Sequence, residues 1–170
     1  MFNPFLVAAL AALFPLVLGF IWYNPKVFGN AWMNAAGLNQ ESMKGANMAL
    51  VFGLTYVFSY MIALSLFGVT IHQFGLNSLL VPQAGMPVDD PQGLGKQVMA
   101  MYANNYRSFG HGALHGTIMG VLLALPLCGI NGLFERRGWK YILINGGYWI
   151  ICLAVMGGIV CRFCLLDGKM

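Results

Sequence analysis

Charge is scarce in this chain. Asp and Glu together number five and Lys and Arg nine across 170 residues. Charged residues make up 8% against 59% hydrophobic, where a soluble domain carries about 25% charged. So few charges cannot cover a water-facing surface of this size. The acidic residues Glu41, Asp89, Asp90, Glu135 and Asp167 all lie outside the apolar runs. A carboxylate within the membrane, which proton-coupled pumps usually need, is therefore missing, and a proton-driven exporter is not expected. Enzyme motifs are missing too: there is no P-loop, no nucleophile elbow and no dinucleotide fingerprint. Neither catalysis nor a cofactor is expected on that ground. The net charge of +4 comes from scattered Lys and Arg, without the basic stripe and interleaved aromatics of a nucleic-acid binder. The N-terminus lacks the basic region and cleavage site of a secretory leader, so the first apolar run is read as a retained helix. The four Cys lie in or near apolar segments, which argues against a disulfide scaffold built from loop cysteines.

Long apolar runs are what the chain has instead. A membrane-crossing helix needs about 20 mostly apolar residues. Four segments qualify: about Phe5 to Tyr23, Ala46 to His72, Gly110 to Asn131 and Trp139 to Phe163. Open strands are excluded, because unpaired backbone groups are not tolerated in lipid. The expected fold class is an all-α membrane protein, a single domain of four transmembrane helices in a bundle. Pro25 stops the first helix, Asn39 is placed as an N-cap before the second, and Pro126 is expected to kink the third. The first connection carries Phe28 and Trp32 on one face and suits a short interfacial helix ended by Gly37. The long second connection, 73–109, begins with Gly75, Pro82, Gly85, Pro87 and Pro91. It continues with Val98, Met101, Tyr102, Tyr106 and Phe109 at the spacing of a surface helix.

The positive-inside rule sets the expected orientation. The first and third connections hold Lys26, Lys44, Arg136, Arg137 and Lys140; the other side holds Lys96, Arg107, Arg162 and Lys169. Short loops dominate this rule, so the tight basic turn puts the first and third connections in the cytoplasm. Both termini are then extracytoplasmic, and a multi-pass protein of the bacterial inner membrane is expected. Trp22, Tyr23, Trp32, Trp139 and Tyr141 would form the cytoplasmic aromatic belt, with Tyr102, Tyr106 and Phe109 in the outer one.

Several motifs carry a family resemblance. Trp22-Tyr23-Asn24-Pro25, Phe28-Gly29, Trp32-Met33 and Gly37-Leu38 are followed by His111 to Gly116 and Pro126. Leu133-Phe134-Glu135-Arg136 and Asn145-Gly146-Gly147-Tyr148 come next. In this order they resemble the domain of unknown function 1761 family, over nearly the whole chain except the second connection. The resemblance implies a small bacterial membrane protein and names no catalytic residue.

Small residues recur at helical spacing. Gly112, Gly116, Gly120, Ala124 and Cys128 make one row; Gly45, Ala49 and Gly53, then Ala154 and Gly158, and also Ala8 and Ala12, make others. Such rows let helix backbones approach closely, within one chain or between subunits. Three His are the candidate chemical site. His111 and His115 share a helix face, and His72 is placed at the end of the second helix, on the same side of the membrane. Imidazoles at this spacing suit zinc or copper, or an axial haem pair, with Asp89 and Asp90 nearby; an interfacial hydrogen-bonding role is the alternative. Cys161 and Cys164 form a C-x-x-C at the wrong end of a helix for a depressed thiol pKa, and are read as inert. The functional expectation is a non-enzymatic structural or accessory subunit. It would meet lipid, and copies of itself or other membrane subunits, through glycine faces. An oligomeric channel or carrier, and a metal- or haem-binding redox component, are the other readings.

Overall fold

The computed structural model describes residues 2–39, 41–42, 44–80 and 93–164. Its fold is all-helical, with four helices long and apolar enough to cross a membrane: Pro4–Trp22, Met48–Thr70, Phe109–Phe134 and Trp139–Phe163. Local chemistry sets their ends. Asn3 caps the first helix by accepting from the Phe5 N–H at 2.8 Å, ahead of Pro4. That helix is interrupted at Ala12, where Pro15 has no N–H for the Ala11 carbonyl. A short helix, Gly29–Ala36, closes on Gly37, whose φ of 65° is left-handed.

Asn47, not Asn39, caps the second span, accepting from the Leu50 N–H at 3.1 Å. Asn39 instead closes a turn with Ser42, whose N–H it accepts at 2.8 Å. Gly45 explains the difference: its φ of 90° breaks any helix begun before it. The second span also stops before His72. Ile71 is extended and fully buried, and His72 opens a separate helix, His72–Leu80. The expected surface helix of the second connection is Leu94–Tyr102. Tyr106 lies beyond it in a left-handed turn, and Phe109 already belongs to the third span.

In the third span the irregularity is a π-turn, Gly120–Ala124, one turn before Pro126. Pro126 cannot donate to the Leu122 carbonyl, and a widened turn absorbs that loss.

The fourth span is the hub and packs on each of the other three. It is the most buried of the four spans and the third is the least buried. Val7, Ala8, Ala63, Leu66, Cys152, Met156 and Val160 form the core around it. Two tyrosines bond across helices: the buried Tyr148 hydroxyl donates to the Pro15 carbonyl at 2.7 Å, and the half-buried Tyr56 to the Ala9 carbonyl at 3.2 Å. The two ends of the described chain meet, Phe2 N–H donating to the Phe163 carbonyl at 2.8 Å. Outward faces carry bare apolar side chains such as Phe20, Phe58 and Leu122, as expected where lipid is the solvent.

Candidate metal centre

His72 leads its helix immediately after the break at Ile71. His111 and His115 lie one turn apart at the start of the third span, where Ser108 caps the helix by accepting from the His111 N–H. The fold brings the three rings together. Their centroids are 4.9 Å apart for His72 and His111, 5.0 Å for His72 and His115, and 4.5 Å for His111 and His115. The Nε2 atoms of His72 and His111 are 3.0 Å apart, and one nitrogen from each of the three rings lies within 4.8 Å of the others. Nitrogens around a tetrahedral ion with bonds of about 2.05 Å stand about 3.4 Å apart. The His72–His111 pair is close to that spacing, and one nitrogen on each ring lies within 4.8 Å of the others, so the three rings would have to turn to share one ion.

The donor set selects the metal. Among the described residues this group holds imidazoles alone, without a carboxylate or thiolate. Imidazole suits zinc, copper and nickel, whereas calcium and magnesium take oxygen ligands. Haem does not fit. Axial nitrogens on the two faces of a haem stand about 4 Å apart with the macrocycle between them. Here the His72–His111 nitrogens are at 3.0 Å and the third ring fills the adjacent space. Asp89 and Asp90, expected near the site, lie outside the described residues.

Tyr106 was not singled out as a site residue by its sequence context. Its ring lies 5.2 Å from that of His111 and 6.2 Å from that of His72, and its φ is 59°. A non-glycine residue held there signals a backbone over-determined by its surroundings. The next residue, Arg107, is buried and bonds the Cys164 carbonyl.

The model of a family described as protein of unknown function (DUF1761) matches residues 6–161. The chain belongs to that family. No curated protein and no solved structure matches the chain. All three site histidines fall within the family match.

The glycine rows have different fates. A Cβ at Gly112 or Gly116 would overlap the Gly157 or Leu153 carbonyl, and one at Gly120 would lie 2.6 Å from the Ile150 Cα. This row is used up inside the chain, with Ala124 half-buried beside the core. On the fourth span Gly157 faces the Gly112 carbonyl, while Ala154 flanks Gly116 and Gly158 receives the Phe109 ring. The second-span row packs against nothing within the described chain: Gly45 precedes the helix, Ala49 is exposed, and a Cβ at Gly53 meets no atom within 4 Å.

Among the aromatic anchors, Trp22 donates to the Ile144 carbonyl at 3.1 Å and Tyr23 to Asn145 at 2.9 Å. Trp32 stands edge-on to Tyr23, and Arg137 lies over the Tyr141 ring at 5.9 Å. These four are built into helix contacts; Trp139 alone of the five is largely exposed, at 74%. Cys161 is buried and faces the Thr70 and Tyr106 carbonyls, as suits a structural thiol.

Proposed function

We propose that this protein is a non-enzymatic, multi-pass inner-membrane protein that binds one late first-row transition-metal ion, zinc or copper in class, at the end of the bundle where Phe2 and Phe163 meet. One observation carries the reading: His72, His111 and His115, from two separate helices, present a ring nitrogen each within 4.8 Å. The Lys and Arg balance supports placing this end on the outer face of the membrane. Detergent-purified protein loaded with zinc and freed of excess should hold about one ion per chain by elemental analysis. The triple variant His72→Ala, His111→Ala, His115→Ala should hold none. No stoichiometric zinc in the wild type, or equal zinc in the variant, overturns the reading.

A second reading concerns partners. The Gly53 surface of the second span, flanked by exposed Leu50, Leu54 and Val57, supports lateral association with a second copy or another membrane subunit. Gly53→Leu should then shift the mass of the gently solubilised complex toward the monomer without unfolding it. An unchanged mass removes this reading.

A further inference from the structure

We propose that the metal is also a clasp: by joining His72 to His111 and His115 it holds the described parts of the second connection onto the end of the bundle. This rests on the metal reading above.

Ties between the described parts of the connection converge beside the site. Gln73, next to His72, is buried, and its side-chain amide donates to the Tyr102 carbonyl at 2.7 Å and the Asn105 carbonyl at 3.0 Å. The start of the connection is thereby bonded to its end. The His72–Leu80 helix packs on Leu94–Tyr102. Tyr106 follows in its left-handed turn, with its ring over His111 and its carbonyl accepting from the Ser108 N–H at 2.9 Å and the Cys161 thiol at 3.4 Å. Ile71, before His72, is fully buried, so the chain has a firm anchor one residue upstream of the ligand.

Among the described residues, His72 is the metal ligand carried by the connection, while the other two belong to a membrane-spanning helix. Residues 72 and 111 are 39 apart in sequence, and a metal bridge between them closes that loop. Lifting the segment from the bundle through Gln73 would pull His72 from the ion. A ligand that binds only the closed form suppresses opening by a factor of one plus its free concentration over Kd. At a hundred times Kd that factor is about 100. The free metal concentration would thus set how often this end of the protein opens.

Backbone hydrogen exchange over residues 94–106 tests the clasp on the full chain in detergent, with zinc chloride as the probe. Saturating zinc should slow exchange there up to about 100-fold. The His111→Ala, His115→Ala double variant should show no slowing. In Gln73→Ala, zinc stoichiometry should persist while the protection at Tyr102 to Tyr106 is lost. One zinc per chain with unchanged exchange in the wild type sinks the clasp and leaves the metal site standing. Full protection in Gln73→Ala also overturns it, because the coupling would not run through that side chain. Failure to bind zinc at all removes the site itself.

Discussion

Gly116 shows how much one missing methyl group matters when lipid is the solvent. Apolar burial between helices gains little over lipid contact, so close backbone approach and van der Waals packing hold the bundle. Gly116 puts its Cα against Leu153 and Ala154 of the fourth span. Gly116→Leu should lower stability in detergent by about 3 kcal/mol or more, since the obstacle is backbone that cannot rotate away. Thermal unfolding followed by circular dichroism would check this, and a wild-type melting curve would refute it. The histidines behave differently. Their spacing, and the placing of His72 on the same side of the membrane, were legible from the sequence; that His72 leads a separate helix after a break at Ile71 was not, because no apolar period reveals that break.

Helix ends illustrate a similar limit. Asn39 and Asn47 are both chemically able to cap the second span. What separates them is Gly45, whose positive φ ends any helical path from Asn39. Asn47→Ala should cost about 1 kcal/mol, and Asn39→Ala should leave the melting of the bundle nearly unchanged. Equal effects from the two would refute the assignment of the cap. The third span makes the same point internally. Pro126 announced an irregularity, and the π-turn at Gly120–Ala124 is its form. That turn lies within the glycine row, yet Gly112, Gly116 and Gly120 all still meet the fourth span.

As a whole, the molecule is a bundle wrapped around its last helix, with both described ends at the same end as the histidines. Reporter tags on the two termini should therefore be reached by an impermeant reagent from one side of the membrane and protected from the other. Opposite accessibility would contradict the topology. Four spans, their approximate limits and the family could be read from composition and motif order, because a helix in lipid satisfies its own backbone and needs only length and apolarity. Which glycine row is consumed, which stays open, and how close the three histidine rings stand are different in kind. They depend on how each helix is rotated about its axis and where it breaks, and those are properties of the packed molecule. Residues far apart in the chain, such as His72 and His111 or Gly116 and Leu153, set them together.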